Sequence, residues 1–311
     1  MDQIMGNIDL LVQFPIVNLK IILDGVMIGA LFALAAYGLA LVWGVMNVKN
    51  LAQGDFVIGG GYVSWWLSNN VAWFHPLFGV PVAFFVMWGL GWITYKLVIS
   101  RVIERDLFTS LLATFGLAIM YAQLMNLMFG SDTQSLVLDV TVLGLENNYY
   151  FADGLIDLPA AKIIGVALAA ILATGVILFM KRSRMGQAIR ATAQDARAAR
   201  VMGIDTEKVY AFTFSLNSAI CGAAGAIIVM VWVIQPFYGI TYSVRAFVIV
   251  TAAGLGNLPG VIAAGLGIGA AEQYGSHIFG IGYQQAIAVM LLLAVLVYRL
   301  LQQKRNRQVL Q

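Results

Sequence analysis

The chain has 311 residues, 61% hydrophobic and only 11% charged, with a formal net charge of +3; soluble domains carry about 25% charged residues. A soluble fold of this length leaves about a quarter of its unfolded surface in water, and this chain has too few polar groups to cover that surface. A single cysteine, Cys221, excludes an intramolecular disulfide.

At the N-terminus, Asp2 and Asp9 precede any apolar run and no basic stretch leads into one. No cleaved signal peptide is therefore expected, and the first helix itself would serve for insertion. Charge-free runs then follow at 25–48, 56–95, 107–131, 163–180, 209–244, 246–271 and 273–298. All but 163–180 exceed the roughly 20 residues needed to cross a bilayer, and that run is long enough to do so. They predict spans near 21–46, 52–70, 77–97, 107–129, 160–180, 209–234, 243–257, 258–276 and 283–301. The fold class is an all-α integral membrane protein of eight to nine transmembrane helices, one domain over 1–311. The segments at 52–70 and 243–276 are Gly-rich and flanked by polar residues, so either is predicted as a broken or re-entrant helix. Such backbone is tolerated at membrane depth only where protein buries it or it lines a cavity. A faint internal repeat relates 57–61 (VIGGG) to 261–265 (VIAAG), each behind a polar, Gly-containing stretch (Gln53-Gly54-Asp55 and Gly256-Asn257). Such paired, interrupted segments predict pseudo-repeated halves.

Loop charges predict the orientation. The loop 181–208 holds seven basic residues against three acidic, whereas 132–162 holds five acidic and one basic. Cytoplasmic loops carry the excess of Lys and Arg, so 181–208 is placed inside and 131–160 outside. Lys96, Arg101 and Arg105, with Lys304, Arg305 and Arg307, agree as inner groups. The C-terminus is then cytoplasmic and, with nine crossings, the N-terminus external. In the outer loop Asn147, Tyr149, Tyr150 and Phe151 suit an interface anchor or a docking partner.

No phosphate-binding G-x-x-x-x-G-K-[ST] motif occurs. Two histidines and one cysteine give no metal-ligand spacing, and no Ser/His/Asp set stands on a recognisable motif. No catalytic residue, metal or nucleic-acid partner is expected, and the chain is not read as an enzyme. In the basic loop, Asp195 predicts an N-cap for a short helix over 196–202, closed by Gly203 at C′, with Thr206 capping the next helix.

Three stretches carry a resemblance. They are 186–195 (GQAIRATAQD) continuing into 199–205 (ARVMGID), 47–62 (NVKNLAQGDFVIGGGY), and 254–272 (GLGNLPGVIAAGLGIGAAE). In this order and spacing they resemble the branched-chain amino acid ABC permease family, in particular its shorter permease subunit. Gln53 departs from a common His, Asp55 from a frequent Glu, and Ala252-Ala253 from a Gly pair. The resemblance implies an importer with two ATPase subunits that bind ATP inside, a second permease subunit (the same or different), and a periplasmic or extracellular solute-binding protein. This chain itself would bind no cofactor, and membrane lipid would surround it in the bacterial inner membrane. The loop would act as a coupling helix through Gly186, Arg190, Asp195, Ala199 and Gly203. A solute pathway would draw on polar groups in apolar surroundings, namely Asn47, Gln53, Gly54, Asp55, Asn257 and Glu272. An ionisable group there is a functional hypothesis by default, although a packing hydrogen bond is the plainer reading. Arg245 is read as a snorkelling anchor at the membrane edge, with pairing to either carboxylate as the alternative. A passive channel or secondary transporter for a solute such as urea is the rival reading.

Overall fold

The computed structural model describes residues 2–103, 105, 107–141, 146–151, 156–254 and 257–308. The first helix, α1 (Asp2–Gln13), was not expected from the apolar pattern, and Pro15 at the start of the next helix ends it. Asn7 of α1 donates to the His277 carbonyl at 2.9 Å, which satisfies an end carbonyl of α12 (Leu258–Phe279).

Helix α2 (Pro15–Met46) has 32 residues, about 48 Å at 1.5 Å per residue. That exceeds a hydrocarbon core of about 30 Å, so its first turns stand clear of the apolar layer. It is followed by α3 (Gln53–Asn70), α4 (Pro76–Thr94), a π-helical turn (Tyr95–Ile99), α5 (Ser100–Val102) and α6 (Leu107–Phe129). A hairpin of β1 (Asn148–Phe151) and β2 (Ile156–Pro159), antiparallel with Asn148 opposite Pro159, leads into α7 (Ala160–Arg182). The chain continues through α8 (Arg184–Gln194), α9 (Ala196–Val201), α10 (Thr206–Val231), α11 (Gly239–Ala253), α12 and α13 (Gln284–Gln308).

Among the described residues, six helices are long and apolar enough to cross a membrane. A seventh is counted if α11 and α12, whose axes meet at 120°, form one bent span. The architecture is all-α apart from the hairpin. Of the two interruptions expected, that in 52–70 is absent, since Gln53–Asn70 is one unbroken helix, and the break falls between α11 and α12. Gly256 lies outside the described residues.

Helix α10 is the axis of the bundle, buried from Thr213 to Met230. Lipid tails are as apolar as leucine, so helix association relies on close packing, which small residues permit. Accordingly a Cβ on Gly225 would overlap the Val57 carbonyl of α3, and one on Gly60 would overlap the Gly222 backbone. Gly25 and Gly29 of α2 interlock with Gly269 and Gly265 of α12 in the same way, so these two helices run antiparallel. The outer faces of α4, α6, α7 and α13 present Phe85, Leu127, Ile171 and Leu301, as a lipid-facing surface requires.

Helix α7 spans from the hairpin at one end of the bundle to the basic loop at the other. The protruding start of α2 is held beside the hairpin by the pairs Lys20–Asp157 and Lys162–Asp24, the latter at 2.7 Å. The Lys20 ammonium, as hydrogen-bond donor, holds the Asp157 carboxyl below its ordinary range.

Candidate functional site

Two helices begin inside the bundle. Helix α2 stops at Asn47, whose left-handed φ of 53° closes the helix while its N–H donates to the Trp43 carbonyl; Asn tolerates this conformation better than most residues. The chain then turns back along α2, and Gln53 at the start of α3 donates to the Ala35 carbonyl at 2.9 Å. Gln53 and Asn217 exchange amide hydrogen bonds at 3.0 Å in both directions, with the Cys221 thiol 2.7 Å from the Gln53 nitrogen. Asn217 lies eleven residues into α10 from Thr206, about 17 Å along its axis, near the middle of a hydrocarbon core.

Helix α11 starts at the same level. The Gly54 N–H donates to the Ser243 hydroxyl at 2.8 Å, and that hydroxyl donates to the Leu51 carbonyl at 2.7 Å. A Cβ on Gly54 would overlap the Gly239 carbonyl. The carboxylate of Asp55, third residue of α3, lies against Gly239, first residue of α11. It is 3% exposed, and its Oδ2 has no hydrogen-bond partner among the described residues. Both helices direct the positive ends of their macrodipoles toward it, which favours an anion there.

On the other side of α11, Arg245 and Glu272 are 6% and 4% exposed and approach to 3.4 Å between Nε and Oε2. The Arg245 guanidinium lies 4.7 Å from the centre of the Phe32 ring, which meets Tyr242 edge-on at 5.0 Å. The edge-anchor reading of Arg245 is therefore corrected. A snorkelling side chain reaches water, whereas this one is enclosed by α2, α11 and α12 and paired with one of the two carboxylates. At the far end of α11, Arg299 donates to the Ala252 carbonyl at 2.8 Å, placing a cation where helix C-termini favour one.

The structure thus brings Gln53, Gly54 and Asp55 together at mid-depth with Glu272 beyond α11. It leaves Asn47 and Asn257 exposed at helix ends. Asn257 caps α12 by accepting from the Gly260 N–H at 3.1 Å. Asn217 and Ser243, which complete the buried polar network, were not singled out from the sequence. Their signal was an amide and a hydroxyl inside the charge-free run 209–244. Among the described residues no group of three or more His, Cys, Asp or Glu could hold a metal.

The basic loop folds into a pair of short, capped helices. Ser183 caps α8 by accepting from the Gly186 N–H at 2.8 Å, and a Cβ on Gly186 would overlap the Met180 backbone. Arg190 donates to the Met180 carbonyl, which covers the end of α7 with a cation. The expected cap at Asp195 is present, accepting from the N–H groups of Arg197 (2.8 Å) and Ala198 (3.0 Å). At the other end Gly203 adopts φ +86°; its N–H reaches the Arg200 carbonyl, and the Ile204 N–H reaches the Ala199 carbonyl, both at 3.0 Å. This double closure is a Schellman motif. The expected cap at Thr206 is corrected: Asp205 caps α10 by accepting from the Lys208 N–H at 3.2 Å, while the Thr206 hydroxyl accepts from Arg200 Nε at 2.7 Å. Ala199 is buried against the loop, whereas Val201 and Met202 stand 86% and 81% exposed. Beside them a cavity of about 640 Å³ opens between α9 and the π-helical turn, lined by Tyr95, Ser100, Ile103, Ile204 and Glu207.

The Ala198 and Arg197 N–H groups hold the Asp195 carboxyl below its ordinary range. A lowered folded value means that the cap's contribution is complete above the unfolded carboxylate value of about 3.9 and is lost as pH falls through the folded value. Hydrogen-exchange protection over 196–204, taken relative to the intrinsic rate at each pH, should therefore fall below about pH 4 in the native chain and be low at neutral pH in Asp195→Ala. Equal protection in the two chains at neutral pH would contradict this account.

The bundle thus gathers polar groups at mid-depth and carries a pair of short helices at one end, and the family match gives the class, a transport permease. Residues 21–298 match the family described as branched-chain amino acid transport system / permease component, and the chain belongs to that family. It is similar to the high-affinity branched-chain amino acid transport system permease protein LivH of Salmonella typhimurium, 28% identical over 88% of this chain and 91% of that protein. Similarity to BraD of Pseudomonas aeruginosa, named as a permease of the same kind of system, is 27% over 90% of this chain and 94% of the relative. A probable branched-chain amino acid transport permease protein LivH of Methanocaldococcus jannaschii is 28% identical, over 89% of this chain and 90% of its own length. No solved structure matches the chain.

Proposed function

We propose that this chain is the membrane-spanning permease of an ATP-driven importer for branched-chain amino acids. Two ATPase subunits drive it from the cytoplasm, a second permease subunit completes the pathway, and a solute-binding protein delivers cargo outside. The family match over 21–298 carries this reading. The exposed, doubly capped α9 supports it, because a short rigid helix can pass the motion of a docked ATPase to the bundle without bending.

In this reading the chain crosses the membrane nine times, with the N-terminus outside and the C-terminus inside. Two of the crossings are part extended chain and part helix, 47–70 and 232–253. The bundle falls into inverted halves. Helices α2, α3 and α4 correspond to α10, α11 and α12, and each half has a long helix, an extended return and a shorter helix starting at mid-depth. The close contacts of α2 with α12 and of α10 with α4 support this correspondence. It relates α3 to α11, where the sequence repeat had related α3 to α12. Asp55, at the meeting point of the two shorter helices, belongs to the pathway.

Affinity purification of the chain from its native membrane should recover two ATPases and a second permease subunit. In proteoliposomes that complex should take up leucine only with ATP, and Asp55→Asn should lower uptake several-fold with assembly retained. Recovery of the chain alone, with solute flux in the absence of ATP, would overturn the importer reading in favour of a channel or secondary transporter. Unchanged uptake in Asp55→Asn would remove Asp55 from the pathway.

A further inference from the structure

The pair on the far side of α11 is costly and poorly bonded. Two charges removed from water lose several kcal/mol of solvation each, recovered only where geometry is excellent and the remaining donors and acceptors are satisfied. Strong Arg–carboxylate pairs are frequently bidentate. Here the closest approach is 3.4 Å, and among the described residues neither Arg245 Nε nor Glu272 Oε1 has a hydrogen-bond partner. Both side chains are more than nine-tenths buried. An apolar contact between α11 and α12 would hold these helices at lower cost.

The surroundings match one kind of solute. An amino acid carries a carboxylate and an ammonium on one carbon, opposite in sign to Arg245 and Glu272 respectively. Phe32 and Tyr242, edge to face beside the guanidinium, form a wall for an apolar side chain. The two charges stand on α11 and α12, the helices that flank the break, so a change in the angle between them parts the charges.

We propose that Arg245 and Glu272 form the permease's zwitterion site, the guanidinium taking the α-carboxylate and the glutamate the α-ammonium, with the solute's side chain against Phe32 and Tyr242. In the present conformation the pair closes on itself, and the solute replaces each partner when α11 and α12 part. This inference rests on the permease reading above and adds the residues that contact the solute.

Arg245→Lys tests it, because lysine keeps the charge and the attraction to Glu272 but lacks the planar fork that binds a carboxylate bidentately. The readout is leucine moved per ATP hydrolysed in the reconstituted complex, with saturating loaded binding protein. Losing one bidentate contact to a charged group should lower this ratio about ten-fold or more, whereas a latch between helices would change uptake and ATP hydrolysis together. The reversed pair, Arg245→Glu with Glu272→Arg, restores the attraction and should still show the low ratio, since it turns the zwitterion away from Phe32 and Tyr242. Should Arg245→Lys fail to assemble with the ATPases, the reversed pair alone decides. A wild-type ratio in either assembled variant overturns the site. Absence of amino acid uptake by the wild-type complex overturns the function proposed above instead.

Discussion

Gly225→Val is expected to prevent α10 from seating against α3 and to abolish recovery of folded permease. The Cβ of any residue at 225 would overlap the Val57 carbonyl oxygen and lie close to the Gly61 N–H. The obstruction is backbone within a continuous helix, so no side-chain rotation relieves it. Overpacking a core by a few methylene groups typically costs about 1–3 kcal/mol where neighbours can shift. Here a helix must move, and the cost should exceed that range against a total stability of about 5–15 kcal/mol. Because α10 also carries Asn217, displacement of the helix would break the reciprocal amide pair with Gln53. The comparison is Gly89→Val on the exposed face of α4, where nothing lies within 4 Å of the added Cβ; it should fold as the native chain does. Size-exclusion profiles in detergent separate the two, and equal recovery of monodisperse protein would show that α3 and α10 tolerate separation.

The sequence disclosed the elements of the fold better than their partners. The apolar run predicted at 107–129 coincides with α6, and 21–46 ends where α2 ends, because the hydrocarbon layer selects composition over a fixed length of helix. Caps at Asp195 and Gly203 were readable because capping depends on neighbours within four residues. The pairing of Gln53 with Asn217 was not readable, since 164 residues separate them and no local pattern encodes which amide meets which. For Arg245 the identity of the residue implied a need for a partner or an exit to water, and only the fold decided between them. The mid-depth starts of α3 and α11 were hidden for a related reason. Extended chain at membrane depth looks like any short loop until the helices that bury it are in place. Helix α1 and the β hairpin escaped notice because neither has an apolar run long enough to stand out.

Gly203→Pro is expected to leave the permease folded while lowering solute-stimulated ATP hydrolysis by at least about ten-fold. Three local faults combine at this position. Proline fixes φ near −65°, whereas Gly203 has φ +86°. It has no N–H to donate to the Arg200 carbonyl, a bond of 3.0 Å in the native cap. It also disfavours the near-helical backbone of Met202, at φ −80° and ψ 8°. With the cap undone, α9 has only six residues, too few to stay helical without its ends tied, and Val201 and Met202 lose their fixed presentation. The bundle itself is spared because the space around Gly203 is open. Gly203→Ala keeps the N–H but carries a left-handed penalty of about 1–2 kcal/mol and should fall between. Gly203→Asn, the other residue common at this kind of cap, should remain near the native rate. That order, native and Asn above Ala above Pro, follows backbone strain and not side-chain size, so it separates a rigid coupling helix from a merely basic surface loop. Full stimulation in Gly203→Pro, with the ATPases still bound, would mean that α9 does not transmit the motion, and the coupling contact would have to be sought elsewhere on the cytoplasmic face, beginning with α8 and the cavity beside the π-helical turn.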